Sequence, residues 1–354
     1  MSTIISFPHL ADYHIPIKLL LENIFTDAKV MTAPKTTKRT LELGSKYSPD
    51  FICVPFKYNL GNFIESLEQG ANVLIQAGGG CRYGYYAEIQ EQILHDLGYE
   101  FEFVRLLRDR VDVFTLYRTC RRMGSKISFH KFIYNVLLTL KMVQYMDSLD
   151  VYVRENIGFE KLLGSFEGVR KNLFKELERV TSFTHLDYIY KRFKNEFEGI
   201  RLIKKPNCLK VGIVGELYTL MEPFSNFFIE RELAKYNISV SRFINITFLL
   251  FEKSKLAKQI LKECGDYLKY PIGADGTDSV AKGKTLAENN YDGLIHIKPF
   301  GCTPEINAMP MLQNIGKDYK IPVLFFSFDS QTSETGVKTR LEAFYDMLSQ
   351  RKGI

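Results

Sequence analysis

The sequence predicts an α/β fold: two Rossmann-like lobes with mostly parallel sheets and a helical middle region. Three observations predict it. Short apolar runs of strand length alternate with longer runs of helical spacing. Glycine or proline punctuates most of the joints between them. The alternation lapses between residues 127 and 205, where long charged-faced segments have helical spacing and few turn signals. Strand–helix alternation with short connections argues for largely parallel sheets. The expected organisation is a first α/β lobe over 1–126, a helical linking region over 127–205 and a second α/β lobe over 206–354.

In the first lobe Ile4–Phe7 reads as a strand before the Pro8-His9 turn, and Pro16–Ile24 as a helix. Lys29–Met31 is a second apolar segment, and Thr36–Tyr47 a helix that ends before Pro49. Phe51–Val54 is expected to be a short strand and Leu60–Gln69 a helix stopped by Gly70. Asn72–Ala77 then reads as a strand ended by three glycines, Tyr85–Leu97 as a helix capped by Gly98, and Phe101–Leu106 as a strand. The middle region offers Phe129–Leu149 and Phe159–Phe183 as long helical stretches. In the second lobe the strands expected are Lys210–Gly215, Ile238–Ile246, Asp292–Lys298 and Ile321–Phe326. Between and after them lie helices at Phe224–Tyr236, Ser254–Cys264, Ser279–Asn289, from Pro304, and at Val337–Leu348.

The 354 residues are 45% hydrophobic and 25% charged, the balance of an ordinary globular protein. A net charge of +6 suits an anionic ligand but is too diffuse to argue for nucleic acid as a partner. The N-terminus does not read as a signal peptide, and no run approaches the ~18 apolar residues of a membrane span. Six widely spaced cysteines in a chain this long do not resemble a secreted disulfide framework, so a cytoplasmic location and no membrane partner are expected.

Those cysteines are Cys53, Cys81, Cys120, Cys208, Cys264 and Cys302. Cys208 and Cys264 read as small buried or structural residues. Cys120, within Arg118-Thr-Cys-Arg-Arg122, has basic neighbours that would lower its pKa and suit a reactive thiol or accessory ligand. Cys81 and Cys302 each follow a strand and a glycine, where ligands bind in open α/β sheets. Cys53 stands in or at the end of its expected strand. Spacing leaves open whether these three are buried apolar residues, reactive thiols or metal ligands. There is no Cys-x-x-Cys, and the six histidines form no His-Glu-x-x-His.

Four segments together resemble the 2-hydroxyacyl-CoA dehydratase component family, in its branch related to activase-associated and double-cubane cluster proteins. They are Cys53-Val-Pro-Phe-Lys57; Gly61–Glu65 with Leu67–Ala71; Gly78-Gly-Gly-Cys-Arg-Tyr-Gly-Tyr-Tyr86; and His296-Ile-Lys-Pro-Phe-Gly-Cys-Thr-Pro-Glu305. The resemblance covers most of the chain and is weakest across 120–200. It implies an oxygen-sensitive iron–sulfur cluster between two lobes, held by Cys53, Cys81 and Cys302. A [4Fe–4S] cubane is the preferred form and a double-cubane the alternative; three thiolates would leave one iron open to a ligand.

The implied activity is low-potential, anaerobic reductive or dehydrating chemistry on a small molecule or acyl-CoA. The alternative is a non-catalytic electron-relay or assembly subunit carrying a cluster. The implied partners are a separate ATP-hydrolysing iron–sulfur activator and a second copy or a related second subunit. The loop Gly273–Ser279 has no Gly-Lys-Ser/Thr ending, so ATP hydrolysis is expected elsewhere. Gly80, Arg82 and Lys298 beside the cysteines would help bind the cofactor. Glu88 and Glu305 read either as proton donors or as ordinary first-turn helix acids.

Overall fold

The computed structural model describes residues 2–78, 81–106 and 113–353, with Arg82 and Tyr83 described by backbone alone. The chain divides into two units, Met1–Val143 with Leu177–Phe183 and Gln144–Glu176 with Thr184–Ile354.

The first unit carries β1 (Ile4–Phe7), α1 (His14–Ile24), β2 (Lys29–Thr32), α2 (Lys38–Tyr47) and α3 (Val54–Glu68). It continues with β3 (Val73–Gln76), α4 (Tyr86–Asp96), β4 (Glu102–Arg105) and α5 (Val113–Arg122). Its four strands are all parallel, in the order β2-β1-β3-β4. α2 starts with a capping box in which Thr37 and Thr40 satisfy each other's amides. Every residue of α3 except Lys57 and Glu68 is buried. Its inward polar groups are matched: Ser6 donates to Ser66, Thr40 to Glu65, and the His9 amide to Asn62. The sheet's apolar faces close over two cores, one around Phe7, Leu21 and Phe132 and one around Phe56, Phe63 and Leu74.

Three long helices follow, α6 (Phe129–Asn156), α7 (Ser165–Leu177) and α8 (Phe183–Glu198). The second sheet contains β5 (Lys210–Gly215), β6 (Ser239–Arg242), β7 (Gly293–Pro299) and β8 (Val323–Phe328). Among these strands lie α9 (Leu217–Met221), α10 (Ile229–Lys235), α11 (Lys253–Glu263), α12 (Gly276–Glu288), α13 (Thr303–Asp318) and α14 (Glu334–Lys352). The strands are again all parallel, in the order β6-β5-β7-β8. All seven residues of β7 are buried, as a central parallel strand covered on both faces requires. No helix among the described residues is long and apolar enough to cross a membrane.

The α/β class with parallel sheets is thus as the sequence predicts. Four element expectations need correction. The helix expected over Phe224–Tyr236 is a 3-10 turn, Pro223–Asn226, and then the short α10, parted by Phe227 and Phe228 in left-handed conformation. Phe51–Val54 is no strand: Cys53 is the N-cap of α3, with Pro55 in the first turn, so that helix starts six residues earlier than its apolar spacing suggests. The strand expected over Ile238–Ile246 ends at Arg242, and a π-helical turn, Phe248–Glu252, leads into α11. The stretch Phe159–Phe183 is not one helix. Glu160 bridges to Leu202, and helix resumes first as α7 and, after Thr181 and Ser182, as α8.

In each sheet the chain steps outward from the first strand to the second and then crosses to the first strand's other side. In open α/β sheets a ligand binds beyond the carboxyl ends of the two inner strands at such a reversal. In the second unit those ends are Gly215 and Pro299, with Gly215 opposite Ile297. Gly215 has φ 147°, and a Cβ there would lie 1.8 Å from the Ile297 carbonyl oxygen. Gly215→Ala should therefore destabilise the fold by at least about 3 kcal/mol, measured by urea denaturation.

Candidate functional site

The carboxyl ends of β5 and β7 bring together several of the buried ionisable side chains of the second unit. β7 turns into α13 through Phe300-Gly301-Cys302, with Gly301 at φ 76°. Cys302 is the N-cap of α13 in extended conformation, half-buried, and its side chain caps no amide. Glu305, in the first turn of α13, is fully buried. His296 of β7, also fully buried, places Nε2 2.7 Å from Glu305 Oε2, and Ser279 of α12 donates to Glu305 Oε1 at 3.1 Å. One carboxylate therefore ties a strand to two helices. Lys298, two residues beyond His296 on β7, is 4% exposed. Burial pulls its pKa down, against the charges of Cys302 and Glu305 that support the ammonium.

At the end of β5 the balance is the opposite. Glu216 caps α9 by accepting from the amides of Tyr218 and Thr219 and from the Thr219 hydroxyl. Asp275 accepts the Leu217 amide and pairs with Lys253 at 2.6 Å; Lys253 also pairs with Asp278 at 2.8 Å. Burial, and then the neighbouring Asp275 charge, push the Glu216 carboxyl up to about 7 against its three hydrogen bonds. Burial also raises Asp278, whereas on Lys253 the two aspartates outweigh burial and hold the ammonium charged. Glu216 and Lys298 stand on adjacent strand ends, because the Glu216 amide donates to the Ile297 carbonyl at 3.0 Å.

Of the residues singled out from the sequence, the structure brings together Lys298, Cys302 and Glu305. Cys53 lies in the first unit at the start of α3, its thiol hydrogen-bonded with the Tyr86 hydroxyl of α4. Cys81 is exposed and precedes a short 3-10 turn, Arg82–Tyr85, that leads into α4. Gly80 and the Arg82 side chain lie outside the described residues. Glu88, in the first turn of α4, pairs with Arg105 of β4, which also pairs with Glu91.

The iron–sulfur reading is overturned. Among the described residues no three histidine, cysteine, aspartate or glutamate side chains group so as to hold a metal ion. Cys53, Cys81 and Cys302 do not make the ligand set expected of them, for either a [4Fe–4S] or a double-cubane cluster. The functions that depend on such a cluster, low-potential reductive or dehydrating chemistry at iron and an electron relay, fall with it. Cys120 is also not an activated thiol: it is buried, and burial pushes its pKa up to about 11. Cys264 is buried, with its thiol donating to the Ile260 carbonyl.

Sequence reasoning missed Glu216, Lys253, Asp275, Asp278, Ser279 and His296. The available signal was position: Glu216 follows a strand directly, and Asp275, Asp278 and Ser279 fill the loop judged above only as a phosphate loop.

Residues 228–348, a third of the chain, match the family described as 2-hydroxyglutaryl-CoA dehydratase, D-component. The match includes β7, the Cys302 turn and α13, and it excludes the segments around Cys53 and Cys81. No curated protein matches the chain.

Two outcomes follow from the environments of these groups. With a thiol-specific disulfide reagent at pH 8, Cys81 should react first in the native protein, and Cys120 and Cys264 only on unfolding. Rapid labelling of native Cys81→Ser at Cys120, located by peptide mapping, would contradict the burial of that thiol. The second concerns Glu216, whose folded pKa near 7 lies above its ordinary value of 4.5. Its protonated form contributes stability that is fully present below pH 4.5 and is lost as pH rises through 7. Glu216→Gln, which cannot ionise, should flatten the fall in stability between pH 5 and pH 8 by about 3 kcal/mol relative to wild type, read from urea unfolding.

Proposed function

We propose that this chain is a D-component-like subunit of a 2-hydroxyacyl-CoA dehydratase-type enzyme, and that its second unit binds and orients the acyl thioester. The observation that carries this reading is the position of Lys298, Cys302 and Glu305. They lie at the strand-order reversal of a parallel sheet, inside the segment that matches the dehydratase family. An open α/β sheet receives its ligand at that place, and perturbed ionisable groups collect at binding and catalytic sites.

The roles divide by environment. Glu305, with both carboxylate oxygens engaged and no exposure, positions the start of α13. Glu216 carries a proton for much of the time at neutral pH and is only partly buried, so it suits donating a hydrogen bond to an oxygen of the bound ligand. Lys298 supplies fixed positive charge beside it. A related, unlike second subunit is the partner that this reading requires.

Isothermal titration of the purified chain with 2-hydroxyglutaryl-CoA tests the reading. Saturable binding with a Kd of about 0.1 mM or tighter is expected. Absence of heat and of any thermal stabilisation by millimolar thioester would overturn it, because a ligand that binds the native state must raise the unfolding midpoint.

A further inference from the structure

The cations buried in the second unit are paired, with one exception. Lys253 faces Asp275 and Asp278, and Arg154 and Arg242 both face Asp150 and Glu230. The Lys298 side chain, 96% buried, makes no ion pair or hydrogen bond with any described residue. Cys302 and Glu305 are near enough for their charges to be felt, but neither accepts a hydrogen bond from Lys298, and His296 and Ser279 occupy the oxygens of Glu305. A buried ammonium that no acceptor engages is costly and persists where something else supplies the hydrogen-bonded anion.

The geometry shows where that anion would sit. Alternate residues of a strand share a face, so Lys298 follows His296 on the side where α13 begins. α13 is a sixteen-residue helix whose N-cap, Cys302, provides no side-chain acceptor, and Pro304 lies in its first turn. The Glu305 amide thus lacks the cap that a serine, threonine, aspartate or asparagine would give it. Lys298 is near enough to this first turn for Cys302 and Glu305 to act on its charge, so the ammonium and the positive end of the helix dipole add. Among the described residues other than its chain neighbours, no atom lies within 4 Å of the position a Gly301 Cβ would take, and Phe300 and Ile306, near it in sequence, are 62% and 44% exposed.

We infer that Lys298 and the first turn of α13 form the receptor for an anionic oxygen group of the ligand. That group is a carboxylate at the far end of the acyl chain or a phosphate of its CoA carrier. The inference rests on the thioester-binding reading above and names the part of the ligand that the β7 end receives. Phe300 and Ile306 then flank the ligand's methylene carbons.

The test is titration calorimetry with four probes, 2-hydroxyglutaryl-CoA, coenzyme A, glutarate and inorganic phosphate, on wild type, Lys298→Met and Lys298→Arg. Lys298→Met should weaken thioester binding at least about tenfold, and Lys298→Arg should recover part of the loss. The unfolding midpoint of Lys298→Met should stay level or rise, since an uncompensated buried charge is replaced by an apolar chain of similar length. A parallel loss of glutarate binding identifies the carboxylate as the anion, and a parallel loss of coenzyme A and phosphate binding identifies the phosphate. A folded Lys298→Met that binds the thioester as tightly as wild type overturns the inference and leaves the proposed function standing. Glutarate or phosphate binding that requires Lys298, without thioester binding, leaves the anion receptor and removes the proposed function. Wild type that binds none of the four at millimolar concentration overturns both. Should Lys298→Met not fold, Lys298→Gln makes the same comparison.

Discussion

The site depends on one buried carboxylate. Glu305 is wholly out of solvent and is held by His296 of β7 and Ser279 of α12. Removing a charge from water is expensive, and the cost is offset only when donors stand in good geometry. That requirement fixes three elements at once, because moving the start of α13 would strip the carboxylate of both donors. Cys302 is three residues before Glu305 and Lys298 two residues after His296, so both are placed by the same bond. The register between Gly215 and Ile297 then sets Glu216 beside them.

Much of the fold was legible because glycine and proline mark its joints. The strands at Ile4, Val73, Lys210, Gly293 and Val323, and the helices after all of them but the Lys210 strand, stand close to where apolar spacing puts them. The failures have physical causes. α3 is buried nearly all round, so it shows no amphipathic stripe, and its apolar first turn resembles a strand. Phe248–Glu252 is a π-helical turn in an apolar run, so its spacing fits neither the helix nor the strand template. The break between α7 and α8 rests on Thr181 and Ser182, a cue too local to interrupt a long helical pattern.

The site was legible in part, for a related reason. A sequence records where a residue falls along a strand and says nothing of separation in space. Cys81 and Cys302 do follow inner strands of two sheets with the same strand order, as their glycine-rich contexts suggest. Equivalent positions in two sheets do not by themselves make a ligand set, and Cys53 opens a helix instead of ending a strand. Lys298 and Glu305 could be picked out because they sit in the same short segment as Cys302. Glu216, Lys253 and Asp275 come from three separate stretches, and only the fold brings them together.

The two inner strand ends of the second unit are unbalanced in opposite senses. Beyond β5, Asp275 and Asp278 share the ammonium of Lys253, and the neighbouring Asp275 charge helps Glu216 retain a proton. Beyond β7, an ammonium is buried beside a carboxylate whose oxygens are already engaged. The same unit shows what a structural network of buried charge looks like. Asp150 lies among Arg154, Arg170 and Arg242, which overcome its burial and hold its carboxyl down to about 2. Buried charges that each find a partner, as these do, stiffen a fold, whereas unpartnered ones are retained where a ligand completes them. A ligand with an oxygen that accepts a hydrogen bond from Glu216 and an anionic group that meets Lys298 would complete both. Its span would be set by the distance between two neighbouring strand ends.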